Sequence, residues 1–64
     1  MKRKLLLALA GSLFEARDAT EALIRESAAD GDPTTGKTLA CIHNHLTADA
    51  KAAVQELEKE IQPR

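Results

Sequence analysis

The tetrapeptide Asp30-Gly31-Asp32-Pro33, close to the middle of the 64-residue chain, restricts the fold more than any other feature. Glycine adopts the left-handed conformation that ends many helices, aspartate is a favoured N-cap, and proline suits the first helical position. The tetrapeptide therefore predicts that one helix ends here and another begins. We expect helices over about residues 3–29 and 33–61, joined by a turn at residues 30–32.

Apolar or small residues recur at steps of three and four on both sides of this turn, the spacing of a helix face that packs on a neighbour. They are Leu6, Leu9, Leu13, Ala16, Thr20, Leu23 and Ser27 in the first half, and Leu39, Ile42, Leu46, Ala50, Ala53, Leu57 and Ile61 in the second. No segment alternates with the period of two that marks a strand. Matched helices and a short turn predict an all-α antiparallel two-helix hairpin, with residues 1–64 forming a single domain.

Charged residues at the two chain ends favour the same antiparallel orientation. In such a hairpin the numbers of facing residues add to about 63, so the basic cluster at residues 2–4 would lie beside the acidic residues Glu56, Glu58 and Glu60. Each cluster lies at the end of its own helix where the helix dipole disfavours its charge. The opposite charge on the neighbouring helix explains the position of both clusters.

The start of the first helix is open to a second interpretation. Ser12 and Glu15 have the spacing of a capping box, and Gly11 before them weakens a helix. A helix that began at Ser12 would leave residues 1–11 as a separate arm. The leucine spacing continues through Gly11 without a change of phase, which favours one continuous helix.

Size and composition predict self-association. A chain this short hides only about 60% of its unfolded surface when it folds alone. Its apolar residues are mainly alanine, leucine and isoleucine, Phe14 is the only aromatic residue, and a single cysteine excludes an internal disulfide. We expect a homodimer that forms a four-helix bundle. The predicted self-association residues are Leu5, Leu6, Leu7, Leu9, Leu13, Phe14, Val54, Leu57 and Ile61.

Net charge and hydropathy restrict the partners. Nine basic and ten acidic residues give a net charge of −1, which argues against nucleic acid. The opening MKRKLLLALAGS resembles a secretory signal, but its apolar run is too short for one and is about half of the roughly 20 residues that span a bilayer. The acidic cluster would also oppose adsorption of this basic end to a membrane surface. We expect a cytoplasmic protein with no membrane span, and the lone Cys41 fits a reducing compartment.

Residues 31–38, GDPTTGKT, match the phosphate-binding pattern G-x-x-x-x-G-K-[ST]. A phosphate-binding loop of this kind follows a buried strand, whereas the residues upstream have a helical pattern. Pro33 also lacks one of the backbone donors that such a loop uses. We interpret the match as the helix stop and start described above, and we predict no cofactor.

Cys41, His45 and Asp49 are four residues apart and share one side of the second helix, which makes them metal-ligand candidates. Three groups along one rod do not surround an ion, so a metal- or ligand-binding bundle would need Cys41, His43 and His45 from two chains. A cysteine–histidine nucleophile would need a concave pocket that two helices do not provide. We therefore expect no enzymatic activity, and we keep the metal-binding bundle as an alternative.

The function that this architecture favours is binding to another protein, as a regulator or inhibitor of the kind found among small bacterial and phage proteins. A structural assembly subunit is a further alternative. The candidate partner-binding residues are the polar positions Arg17, Asp18, Glu21, Arg25, His45, Asp49 and Lys51.

Overall fold

The computed structural model describes residues 1–61, which form two helices, α1 over Lys2–Ala29 and α2 over Pro33–Ile61. They pack against each other in a rod of 52 × 14 × 12 Å. Residues 1–61 contain no strand, so the predicted all-α hairpin is confirmed. α1 begins at Lys2 and continues through Gly11, and the alternative of a separate arm at residues 1–11 is wrong.

The turn has the chemistry that its residues predict. Gly31 is left-handed, with φ of 73°, and its N–H donates to the carbonyl of Ala28 at 3.1 Å. Asp32 caps α2, because its Oδ1 accepts from the Thr35 N–H at 3.2 Å and its Oδ2 accepts from the Thr35 hydroxyl at 2.6 Å. The hydroxyl bond first, and then the Thr35 N–H bond, lower the pKa of Asp32 below its ordinary value.

Contacts between the helices fix an antiparallel register. The Arg3 guanidinium donates to the Glu60 carbonyl at 3.5 Å, and Lys2 Nζ lies 3.9 Å from Glu60 Oε1. Near the middle of the rod, His43 Nε2 is 2.9 Å from Glu21 Oε1. These contacts join residues whose numbers add to about 63, as the charge pattern predicted.

The helices meet along two heptad rows, which we call the seam. Its residues are Leu6, Ala10, Leu13, Arg17, Thr20, Ile24 and Ser27 of α1, and Gly36, Leu39, His43, Leu46, Ala50, Ala53 and Leu57 of α2, all buried or half-buried. The spacing alternates between three and four residues throughout, as in an antiparallel coiled coil. In the register above, each seam residue of α1 is level with one seam residue of α2.

The residues of the seam differ by one row from those that the sequence predicted to lie between the helices. Leu9, Leu23, Ile42 and Ile61 were expected inside and are 49%, 52%, 43% and 52% exposed. Ala10, Arg17 and Ile24 occupy the seam in place of Leu9, Ala16 and Leu23. At the level of Ala10 and Ala53 small side chains on both helices allow a close approach, and the long Arg17 side chain fits because its guanidinium extends out of the seam over the Phe14 ring.

Small residues make up the fully buried part of the described chain. It consists of Ala10, Thr20, Ser27, Ala50 and Ala53, and no large apolar side chain is fully buried. Complete burial of one leucine contributes about 1.5–3 kcal/mol, whereas alanine hides far less area. The isolated hairpin therefore gains little hydrophobic stabilisation from its own interior.

Replacing Ala50 by leucine should destabilise the hairpin by about 1–3 kcal/mol, because Ala50 is 1% exposed and the close seam has no space for a larger side chain. Ala48→Leu is the control, since Ala48 is exposed on the same helix, and its effect should stay within about 0.5 kcal/mol. Urea unfolding followed by circular dichroism measures both. Equal midpoints for the two variants would contradict the alanine-dependent packing.

Asp32→Asn should remove a pH-dependent part of the stability. The folded-state pKa of Asp32 is lowered, so the ionised carboxylate stabilises the fold above the ordinary value of 3.8, and this contribution is lost as pH falls through the folded value. Asparagine keeps an N-cap acceptor without a charge. The difference in Tm between wild type and variant should be present at neutral pH and shrink in acid below that range. A difference that is the same at all pH values would exclude this role of the charge.

Candidate functional site

Many of the large apolar side chains among the described residues lie outside the seam and are exposed. Eight of them are at least 36% exposed, namely Met1, Leu5, Leu7, Leu9, Phe14, Leu23, Ile42 and Ile61. Most lie in two groups, one on each side of the seam. The candidate functional site is therefore a pair of surfaces on a rod.

The first surface, which we call the Leu9 face, consists of Leu5, Leu9, Leu23 and Ile42. Leu9 lines a groove with Asp49, Ala52 and Glu56 of α2, which shows on which side of the seam it lies. Leu5 precedes Leu9 by one helical turn and Leu23 follows it by two heptads, so the three share this side of α1. Ile42 is one heptad before Asp49 and lies on the same side of α2.

The second surface, which we call the Phe14 face, consists of Leu7, Phe14, Val54 and Ile61. Phe14 and Val54 line one groove together with Arg17, Thr47 and Lys51. Leu7 is one heptad before Phe14, and Ile61 is one heptad after Val54, so each extends the face along its own helix. This surface lies on the opposite side of the seam from the Leu9 face.

The predicted self-association residues are thus divided among three places. Leu6, Leu13 and Leu57 are half-buried in the seam and contribute to the hairpin itself. The remaining six are split between the Leu9 face and the Phe14 face. Leu23 and Ile42 are exposed on the Leu9 face, and the sequence analysis missed them because it had assigned them to the contact between the helices.

Arg17 was predicted on a polar binding surface, and the structure places it in the seam. Its guanidinium carbon lies 5.0 Å from the centre of the Phe14 ring, a cation–π distance, and its Nη2 is 3.3 Å from Asp18 Oδ1. Its Nε is buried and has no hydrogen-bond partner among residues 1–61. Lys51 lines the same groove and has no ion-pair partner among residues 1–61, whereas the charge of Arg17 is paired with Asp18.

Glu21, another predicted binding residue, is engaged across the seam. Its carboxylate is half-buried and lies 2.9 Å from His43 Nε2. One turn after His43 on α2, the Thr47 hydroxyl donates to the carbonyl of His43 at 2.8 Å. Glu21 and His43 therefore help to fix the register of the hairpin, and Arg25 lines a shallow groove beside them.

Cys41, His45 and Asp49 follow one another along α2 and do not converge. Cys41 and His45 line a shallow depression with Asn44 and Ala48, whereas Asp49 lines the groove beside Leu9. No group of three histidine, cysteine or acidic side chains in the described part of the chain could hold a metal ion. A metal site would therefore need ligands from a second chain.

The GDPTTGKT segment has a structural role at this end of the rod. α1 continues to Ala29, so a helix and not a strand leads into Gly31. Asp32 caps α2, and Gly36 lies in the seam level with Ser27. The groove beside the turn is lined by the apolar residues Ile24, Ala28, Pro33 and Ala40 together with Gly31, Asp32, Gly36 and Lys37 of the motif. The Asp32 carboxylate in this lining would repel a phosphate, and it accepts the Thr35 N–H, a backbone donor at the start of α2.

Neither helix, as far as Ile61, contains a stretch both long and apolar enough to cross a membrane. Searches with family models, curated proteins and solved structures found no match to the chain.

Proposed function

We propose that the protein is a protein–protein interaction module that forms a homodimer of four helices and regulates or inhibits another protein by binding it. The observation that carries this proposal is the amount of apolar surface that the hairpin leaves exposed. Only alanine, threonine and serine are buried in the seam, its leucines and Ile24 are half-buried, and eight other large apolar side chains are exposed, most of them on two faces. Exposed apolar surface of this extent on a small domain is typical of an interaction surface.

The small hydrophobic stabilisation of the isolated hairpin supports the same proposal. The hairpin buries no large apolar side chain completely, and a chain of this size has little other hydrophobic stabilisation available. Covering the Leu9 and Phe14 faces would bury the leucines and the aromatic ring that the hairpin leaves in water. Each such side chain contributes about 1.5–3 kcal/mol when fully buried, so association would supply much of the missing stability.

The Phe14 face suits an apolar segment that also carries an acidic residue. Phe14 and Val54 supply the apolar contact, and both helices contribute to it. Lys51 adds a cation beside that contact without an ion-pair partner among residues 1–61, and the Arg17 guanidinium, paired with Asp18, lies in the same groove. A carboxylate on the bound protein would complement this charge. A cytoplasmic setting is part of the proposal and agrees with the exposed thiol of Cys41.

Phe14→Asp should reduce capture of the target protein at least tenfold, because it places a charge in the apolar centre of this face. The measurement is affinity capture with tagged protein from cells that encode it, quantified by mass spectrometry. Ala48→Asp is the control, since it introduces the same charge at an exposed position away from both faces. Circular dichroism verifies that both variants keep their helices.

Lys51→Glu tests the chemistry of the same surface and should weaken capture of that target severalfold through charge repulsion. Equal capture by wild type and Phe14→Asp would exclude the Phe14 face as the binding site. Stronger capture by Lys51→Glu than by wild type would contradict an acidic partner.

A further inference from the structure

One row of α1 has a pattern that fits a second copy of the same helix. This row, which we call the outer row, consists of Lys2, Leu5, Leu9, Ser12, Ala16, Ala19, Leu23 and Glu26, all exposed. Its steps alternate between three and four residues, the heptad spacing of a coiled-coil contact. α1 therefore carries two such rows of contacts, the seam that α2 covers and the outer row on the Leu9 face.

We propose that the outer row pairs with the outer row of a second copy, in antiparallel orientation, about a twofold axis level with Phe14. This inference rests on the proposed self-association and specifies its geometry. In the pairing, Ser12 faces the partner's Ala16, Leu9 faces the partner's Ala19, and Leu5 faces the partner's Leu23. A twofold axis repeats each contact, as in other isologous dimers.

Side-chain sizes along the outer row suit this pairing. Ser12 and Ala16 are small and lie next to the axis, which lets the two copies of α1 approach closely. Leu9 lies opposite a small residue, so large and small side chains interdigitate. Leu5 and Leu23, which are 62% and 52% exposed in the hairpin, meet at each end and remove their apolar surface from water.

Charges at the ends of the outer row select the antiparallel orientation. Lys2 lies level with the partner's Glu26, and the twofold axis creates this pair twice. The Lys2 side chain is 74% exposed, and its Nζ lies 3.9 Å from Glu60 Oε1, a long distance for an ion pair. Glu26 has no ion-pair partner within residues 1–61. A parallel pairing would instead put Lys2 beside the partner's Lys2 and Glu26 beside the partner's Glu26. Exposed ion pairs add little affinity, but like charges in both places disfavour the parallel form.

α1 alone supplies most of this contact. The equivalent row of α2 includes Ile42, but also His45, Asp49 and Glu56, and it is therefore mainly polar. Asp49 lies at the level of the axis, so a close approach of the two α2 helices would bring two carboxylates together. The contact is thus centred on α1, while the Phe14 face on the other side of the seam remains accessible for the target protein.

Ala16→Asp tests the centre of the pairing. The substitution should raise the dimer dissociation constant on the order of a hundredfold, because two carboxylates would be buried beside the axis. Ala16 is exposed in the hairpin, so the helices should form normally. Sedimentation equilibrium measures the dissociation constant and circular dichroism the helicity. The control Ala48→Asp should leave both unchanged.

Charge reversal tests the register. Lys2→Glu and Glu26→Lys should each weaken the dimer about tenfold, and the double variant should recover nearly wild-type affinity. Both single changes are favourable for the dipole of α1, since they put an acid near its N-terminus and a base near its C-terminus. Lys2→Glu also loses the contact with Glu60 within the hairpin, whereas Glu26→Lys disturbs no ion pair among residues 1–61, so Glu26→Lys and the recovery in the double variant are the decisive measurements. A double variant weaker than either single variant would overturn the register.

Disulfide trapping tests the orientation, in a Cys41→Ser background. Mixing Leu9→Cys protein with Ala19→Cys protein should give a crosslinked heterodimer under mild oxidation. Leu9→Cys protein alone should not crosslink, because its two thiols would be about 15 Å apart along the helix axis. Efficient crosslinking of Leu9→Cys protein with itself would show a parallel pairing and overturn the proposal.

The outcomes separate this inference from the proposed function. A dimer that Phe14→Asp weakens and Ala16→Asp does not would overturn the outer-row pairing and leave self-association intact. Wild-type protein that is monomeric at about 100 μM would overturn both the pairing and the proposed homodimer. Capture of the target by the Phe14 face is measured independently and would stand in either case.

Discussion

Close contact between two helices through small side chains is the constraint from which the remaining features follow. Ala10, Ala50 and Ala53 are the buried apolar residues, and they let two long helices approach closely, while the leucines and the isoleucine of the seam are only half-buried. The other large apolar residues, among them Leu5, Leu9 and Phe14, stay exposed. They lie beside the seam, on two faces that neither α1 nor α2 covers. The same packing that makes the hairpin possible thus leaves apolar surface exposed, and the proposed association rests on that surface.

Polar residues at the contact between the two helices help to select one register. Glu21 reaches His43 across the helices, and Arg17 lies in the seam with its guanidinium over the Phe14 ring. A shift by one heptad would keep the apolar rows in contact but would separate Glu21 from His43. Alanine layers are nearly interchangeable, so polar pairs of this kind define a single alignment at some cost in stability.

The sequence was sufficient to predict the helices and the turn, because Gly31, Asp32 and Pro33 each have one dominant local preference. It was not sufficient to predict which side of α1 faces α2. Two rows share the three-and-four spacing, and hydrophobicity favours the row with Leu9, whereas the seam uses Ala10. The fit between the two helices decides the matter, and it depends on side chains of both helices at once, including the path that Arg17 takes out of the seam. The predicted association residues were consequently divided among the seam and two faces, and Leu23 and Ile42 were missed.

The three-residue connection between Ala29 and Pro33 also determines the order in which the hairpin can assemble. Ser27 and Gly36 are near each other along the chain, whereas Leu6 and Leu57 are joined only through most of its length. Closing the short loop first costs the least chain entropy, and each later layer then forms beside one already in place. Assembly would proceed as a zipper from the tip that Gly31 and Asp32 define, and the apolar ends of the helices would be the last to close and the first to open.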